Sequence, residues 1–70
     1  MLHVTITHRI YYISEDTGYS AWVHVSTGTQ TIKSFAYHVG YYDDEYTAKA
    51  AAEYTANGMA RAVSLAGGKP

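Results

Sequence analysis

Apolar and polar residues alternate with a period of two in the first part of the chain, as is typical of half-buried β-strands. Even positions are mainly apolar in residues 2–13, and odd positions are apolar in residues 19–26. A polar segment containing a glycine follows each run, at residues 14–18 and 27–29. Short loops of this composition connect antiparallel strands.

A third strand is predicted for residues 30–39, but its two halves differ in parity. Ile32 is in phase with Ser34, whereas Phe35 is in phase with Tyr37. A β-bulge near Lys33 and Ser34 would bring Ile32, Phe35 and Tyr37 to the same side. The pattern therefore predicts a three-stranded antiparallel meander.

The second half of the chain is typical of a helix. Gly40 marks a break, and the acidic residues 43–45 suit a helix start, where carboxylates cap free amide groups and meet the positive end of the helix dipole. Alanine, the best helix former, occupies five positions in residues 48–56. Charged or polar residues recur every four positions from Glu45 to Asn57 as a solvated stripe, so we expect alanines and tyrosines to face the sheet.

The end of this helix has two interpretations. Asn57-Gly58 is typical of a helix end, and in residues 59–65 larger side chains alternate with small ones as they would in a fourth strand. In the other interpretation the helix continues, and Met59 and Val63 join its buried side. We favour the strand, since glycine within a helix costs about 1 kcal/mol relative to alanine. The sequence thus predicts one α+β domain over residues 1–66. Its three- or four-stranded antiparallel sheet carries a helix on one face, in the order βββαβ or βββα with a long C-terminal helix, and residues 67–70 form a flexible tail.

Composition narrows the class of protein. Seventy residues suit one small domain, and the absence of cysteine excludes disulfides, a thiol nucleophile and cysteine-ligated metal. A net charge of −1 with 16% charged residues argues against a strongly basic nucleic-acid binder. No apolar run reaches the length of a membrane span or a signal-peptide core. We therefore expect a soluble cytoplasmic protein, located in the host cytoplasm if it is encoded by a phage.

Catalytic and metal-binding chemistry finds little support. His3 and His24 share one predicted sheet face, but no histidine pair has the helical spacing typical of a metal site. His8 and His38 are expected to make ordinary hydrogen bonds. Helix capping accounts for the carboxylates at residues 43–45, and no nucleophile, phosphate loop or paired carboxylates can be recognised. We expect no enzyme, no cofactor and no metal.

Aromatic content is the unusual feature, with ten aromatic residues of which eight are tyrosine. Tryptophan, tyrosine and arginine dominate binding hot spots. If the helix covers one sheet face, the other presents a candidate partner-binding set: Arg9, Tyr11, Trp22, His24 and Lys33, with Tyr41 and Tyr42 at the rim. The same residues would also suit cross-strand pairs, a homodimer seam, or stacking of single-stranded bases, although few cations are available for phosphate.

The sequence resembles two kinds of protein family. Residues 10–23, IYYISEDTGYSAWV, resemble the opening hairpin of HicB-type antitoxins, which have an alanine-rich helix after the third strand; the family's Pro-Asp-Leu-Pro-Gly-like segment does not follow Val25. Residues 18–22 and 40–43, with Tyr54 in the helix, are similar in layout to ethylene-response-factor-type and integrase-arm DNA-binding domains. That layout implies three strands and a helix, but those domains read DNA through sheet arginines, which are scarce here.

In size, composition and predicted fold class, this chain is similar to phage-encoded inhibitors, including anti-CRISPR proteins: it is small, cysteine-free and mildly acidic, and it has no catalytic motif. Such proteins occupy an assembly or nucleic-acid-binding surface of a larger host complex. The predicted function is a non-catalytic protein-binding module of this inhibitor type, whose partner is a larger protein or complex. The alternatives are a small nucleic-acid-binding domain, an antitoxin, and a homodimer with a structural role.

Overall fold

A computed structural model describes residues 3–28 and 33–67 of the chain. Three strands precede one helix, in the order β1 (Val4–Ser14), β2 (Gly18–Thr27), β3 (Lys33–Tyr42) and α1 (Glu45–Leu65). The strands form an antiparallel sheet in the order β1-β2-β3, and α1 packs across one side of it. This confirms the predicted α+β fold in its βββα form.

The β1–β2 hairpin closes on a glycine that no other residue can replace without strain. Gly18 has φ +85°, and a Cβ at this position would collide with the backbone carbonyl of Tyr42 on β3. The hydroxyl of Ser14 accepts a hydrogen bond from the amide of Thr17 at 3.1 Å within the turn. The turn between β1 and β2 therefore lies directly against the end of β3.

Strand β3 differs from its prediction at both ends. Residues 29–32, which include the predicted turn residue 29 and strand start 30–32, lie outside the described residues. At the other end the strand continues through Gly40 to Tyr42. Gly40 pairs with Ala21, so it sits within the ladder and does not interrupt it.

The irregularity of β3 lies at Val39 and not near Lys33. Pairing with β2 is regular from Lys33 to His38, and the register then shifts so that Gly40 is the next paired residue. The bulge predicted near Lys33 and Ser34 is therefore wrong. The extra residue, Val39, packs against both apolar clusters beneath α1, which gives the bulge a physical cause.

The core lies between β2 and the alanine side of α1. Ala21, Val23 and Val25 of β2 are buried, and three alanines of α1 spaced four residues apart are buried against them: Ala48, Ala52 and Ala56. This spacing places the alanines on one side of the helix. Because their side chains are single methyl groups, the helix lies close to the sheet.

The helix begins as the sequence predicts. Asp44 is the N-cap: its Oδ2 accepts a hydrogen bond from the Thr47 amide at 2.9 Å, and its Oδ1 accepts one from the Thr47 hydroxyl at 2.7 Å. The hydroxyl and then the amide of Thr47 lower the pKa of the Asp44 carboxyl. The charged form of Asp44 is therefore the capping form.

The helix does not end at Asn57-Gly58, so the favoured fourth strand at residues 59–65 is wrong. The helix continues to Leu65, and Met59 and Val63 pack against the core cluster that contains Ala56. Full burial of such side chains contributes about 1.5–3 kcal/mol each, so even partial burial of two of them offsets the roughly 1 kcal/mol cost of Gly58.

The helix ends instead at Leu65, with Ala66 as its C-cap, and Gly67 closes it: this glycine has φ +87° and its amide donates to the carbonyl of Ser64. Of the predicted flexible tail at residues 67–70, Gly67 forms this terminating turn, and residues 68–70 lie outside the described residues.

Alanine faces the sheet as predicted, but the helix tyrosines do not. Tyr46 and Tyr54 are 82% and 83% exposed on the outer side of α1. The tyrosines that do contact the core belong to the sheet, namely Tyr19 and Tyr42. Within residues 3–28 and 33–67, no helix combines the length and the hydrophobicity needed to cross a membrane.

Candidate functional site

The candidate site is the side of the sheet opposite α1, here called the open face. Residues that pair directly in antiparallel strands have their side chains on the same face of the sheet. Val23 and Val25 are buried and mark the face beneath α1, so the register assigns every other strand residue to this face or to the open face. The residues assigned to the open face are Thr5, Thr7, Arg9 and Tyr11 of β1, Ser20, Trp22, His24 and Ser26 of β2, and Ser34, Ala36, His38 and Tyr41 of β3.

Three rings form a continuous aromatic cluster on the open face. The Trp22 and His38 ring centroids are 4.7 Å apart, and those of His38 and Tyr41 are 4.6 Å apart with an edge-to-face angle of 64°. Trp22 is half-buried, whereas Tyr41 is 62% exposed. The His38–Tyr41 pair has the edge-to-face geometry that aromatic quadrupoles favour, and the Trp22 and His38 rings are tilted by 44° to each other.

Tyr11 extends the apolar surface on the other side of β2. Tyr11 and Tyr41 both pair with Ser20, from β1 and β3 respectively, so the two rings flank this small residue. Ser20 is buried, although it belongs to the open face, while Tyr11 is 44% exposed. The neighbouring side chains therefore cover Ser20 and present their own surfaces to solvent.

Two imidazoles within the open face are incompletely paired. The Nε2 atoms of His24 and His38 are buried and have no hydrogen-bond partner among the described residues. For His38 the expectation of an ordinary hydrogen bond therefore fails at this atom. A buried polar atom without a partner costs about 1–3 kcal/mol, so this side of the sheet is not optimised for stability.

Charge is distributed unevenly over the molecule. Arg9 is the only permanently charged residue assigned to the open face, which carries no carboxylate among the described residues. Five of the six acidic residues lie in two neighbouring segments, the β1–β2 turn and the loop leading into α1: Glu15, Asp16, Asp43, Asp44 and Glu45. Gly18 lies against Tyr42 and Asp43, so these two segments meet at one end of the sheet. We call this region the acidic end.

Five of the seven residues predicted for partner binding lie together on the open face: Arg9, Tyr11, Trp22, His24 and Tyr41. Lys33 and Tyr42 do not. Lys33 pairs with Thr27 and Tyr42 with Tyr19, which places both on the helix side, and Tyr42 packs against the core there.

His38 is the site residue that the sequence pattern missed. It links Trp22 to Tyr41, although neither strand periodicity nor residue type indicates this position. Its assignment depends on the pairing of Trp22 with His38, and its contact with Tyr41 depends on the bulge at Val39, which places Tyr41 on the same face. A short strand with an unknown bulge position does not reveal such a pair in the sequence.

Other groups do not form a second site. His8 lies on the helix side, with its Nε2 3.7 Å from Oε1 of Glu53, so it joins the sheet to α1 when protonated. In the part of the chain that the structure describes, no three histidine or acidic side chains converge as metal ligands would. Two shallow pockets among the described residues lie on the outer surface of α1 and are open to solvent, one between Tyr46 and Glu53 and the other between Tyr54 and Arg61.

Comparisons of the chain with protein-family models, curated proteins and solved structures found no match. The resemblances to HicB-type antitoxins, to three-strand DNA-binding domains and to anti-CRISPR proteins therefore remain hypotheses.

Proposed function

We propose that this chain is a non-catalytic protein-binding module whose open face docks onto a larger protein or protein complex. The observation that carries the proposal is the aromatic cluster of Trp22, His38 and Tyr41, which lies beside Tyr11 on a side of the sheet that α1 does not cover. Aromatic side chains on a rigid sheet supply large contact area at little cost in conformational entropy.

The chemistry of the open face favours an apolar partner surface with few charges. The hydroxyl-bearing residues around the aromatic cluster, such as Thr7 and Ser34, supply a polar rim, and Arg9 supplies one cation. Binding here would remove little charge from water, and a charge removed from water without a counter-charge is costly. A single carboxylate on the partner would complement Arg9.

The acidic end supports the finer proposal of a phage-type, anti-CRISPR-like inhibitor of a nucleic-acid-handling host complex. It lies near Tyr41, because only Tyr42 separates this tyrosine from residues 43–45 in the chain. Proteins that bind nucleic acid neutralise phosphates with lysine and arginine. A partner surface on which an apolar patch lies beside such basic residues would bind the open face through the patch and the acidic end through the basic residues. Nucleic acid would then be excluded from this surface of the partner.

Affinity capture followed by a binding measurement tests the docking surface. The site variant is Tyr11→Ala/Tyr41→Ala, and the matched control is Tyr46→Ala/Tyr54→Ala, which also removes two exposed tyrosines but from the outer side of α1. The wild type and the control should retain the same host protein, and the site variant should lose it. With the purified partner, we expect the site variant to bind at least about 30-fold more weakly, as for the loss of one hot-spot residue of 2 kcal/mol.

Two results would contradict this function. The first is undiminished partner binding by a site variant that circular dichroism shows to be folded. The second is binding of a single-stranded oligonucleotide whose affinity falls steeply with salt, which would favour the nucleic-acid-binding alternative. Fluorescence anisotropy at two salt concentrations measures this directly.

A further inference from the structure

The helix leaves the outer part of its own side of the sheet uncovered. Phe35 and Tyr37 of β3 pair with Val25 and Val23, so their side chains lie on the helix side. They are nevertheless 60% and 49% exposed, whereas Val23 and Val25 are buried. An apolar strip on β3 therefore remains in contact with solvent.

The edge of β3 is poorly protected over the segment before its bulge at Val39. Among residues 3–28 and 33–67 this ten-residue strand pairs only with β2, so its outer edge carries backbone donors and acceptors that no other described strand pairs. Lys33 is its only charged residue, and it contains no proline. Natural proteins protect such edges with charges, proline or covering elements, and a long uncharged edge is a template for strand pairing.

The other edge, on β1, is better protected. Arg9, a permanent charge, lies in the middle of β1, and the carboxylate of Glu53 on α1 lies 3.7 Å from Nε2 of the neighbouring His8. Charged groups at the centre of an edge oppose pairing with a like strand. Association through strand addition is therefore expected at β3.

The exposed rings of β3 are arranged so that they can pair with a like strand. Phe35 and Tyr37 lie two residues apart on the helix side, and both are exposed. An antiparallel partner strand with rings at the same spacing would place its rings directly opposite them. Because β3 itself has this spacing, its edge is complementary to the edge of a second copy.

We propose that a second copy of this chain occupies the edge of β3, so that two sheets join as one six-stranded antiparallel sheet. A second copy fits because a twofold axis pairs β3 with itself in the antiparallel sense and satisfies both free edges at once. With the axis at Ala36, the regular segment before the bulge pairs with itself, and Phe35 lies opposite Tyr37 of the second copy. This register places the four exposed rings of the two copies in two cross-strand aromatic pairs. It uses the edge of β3 and not the open face, so it can fail or succeed independently of the proposed function.

Disulfide cross-linking tests the register, because the natural chain has no cysteine. The variant Ala36→Cys places one thiol at the proposed axis, where the Cα separation of paired strands falls within disulfide range. The control is Ala50→Cys, at an exposed alanine on α1. Under mild oxidation Ala36→Cys should form a covalent dimer rapidly, and Ala50→Cys should not. Equal rates for the two variants would overturn the proposed edge.

Analytical ultracentrifugation tests the association itself. The wild type should sediment as a dimer, and Phe35→Lys/Tyr37→Lys should raise the dimer dissociation constant at least about tenfold, since like charges then face each other across the axis. The control Tyr46→Lys/Tyr54→Lys adds the same charge on the outer side of α1 and should leave the constant unchanged. A wild type that remains monomeric at all concentrations up to its solubility limit would overturn the proposal.

Discussion

Substituting Gly58 with alanine should stabilise the fold, because this glycine lies within a continuous helix. Its φ is not positive, it is exposed, and a Cβ built there meets no atom within 4 Å. Alanine would therefore add no steric conflict, and it would reduce the conformational freedom of the unfolded chain.

The magnitude and the sign of the change in the free energy of unfolding follow from helix propensity. Glycine is about 0.8–1.0 kcal/mol less favourable than alanine in a helix interior, so Gly58→Ala should raise the free energy of unfolding by about that amount. For a domain of this size, 1 kcal/mol corresponds to a rise in Tm of about 4–8 °C. Gly67→Ala should have the opposite sign, because Gly67 has φ +87° and ends the helix.

Thermal and urea unfolding followed by far-UV circular dichroism measure both variants. If Asn57-Gly58 ended the helix and a fourth strand followed, Gly58 would adopt the left-handed conformation and alanine would destabilise it. A lower Tm for Gly58→Ala would therefore refute the long helix. Equal effects of the same sign at Gly58 and Gly67 would refute the assignment of Gly67 as the helix terminus.

Three further substitutions test the cap, the core and the aromatic cluster. The folded-state pKa of Asp44 is lowered, so the stability that this carboxylate contributes is present above about pH 4, the usual pKa of aspartate, and is lost as the pH falls through the lowered pKa. Asp44→Asn keeps a capping side chain but cannot titrate, so it should remove this part of the acid dependence of stability. Acid titration followed by circular dichroism measures the difference. Ala52→Leu should lower the free energy of unfolding by about 2–3 kcal/mol, since Ala52 is fully buried and has no room for three more carbons. Ala50→Leu, at an exposed position, should change it by less than about 0.5 kcal/mol, and a tolerated Ala52→Leu would argue against close helix packing. His38→Phe should raise the free energy of unfolding by about 1 kcal/mol, because the ring keeps its contact with Trp22 while the unpaired buried nitrogen is removed. A lower free energy of unfolding for this variant would instead assign the imidazole a structural role.

Strands β1 and β2 were predictable because their side chains follow a strict period of two. Val4 and Ile6 on one strand and Val23 and Val25 on the other mark the same side of the sheet. A shift of either strand by one residue would move its two apolar residues to solvent, so the burial requirement fixes both the register and the faces. The open-face positions of Tyr11 and Trp22 follow directly from that alternation.

The end of the helix was not predictable from local signals. Asn57-Gly58 has the chemistry of a terminus, and its local preference is worth about 1 kcal/mol. The competing contribution comes from Met59 and Val63, which pack against a core cluster whose strand residues are distant from them in the chain. Packing outweighs the local signal here, and only the tertiary structure shows its size.

The faces of β3 were predictable only in part, for a related reason. A bulge reverses the face of every later residue in a strand, so its position decides where Tyr41 and Tyr42 point. The bulge at Val39 places Tyr41 with Trp22 on the open face and sends Tyr42 to the core. Adjacent residues of a strand point to opposite faces, so one of Tyr41 and Tyr42 must leave the core, but the sequence does not show which one.

Hydroxyl-radical footprinting of the tyrosines, read by mass spectrometry, tests the docking surface most directly. The chain is labelled alone and then in complex with the host protein that it captures. Docking through the open face predicts that Tyr11 and Tyr41 lose labelling in the complex, whereas Tyr46 and Tyr54 on α1 keep it. Protection of Tyr46 and Tyr54 with Tyr11 and Tyr41 still labelled would contradict the account.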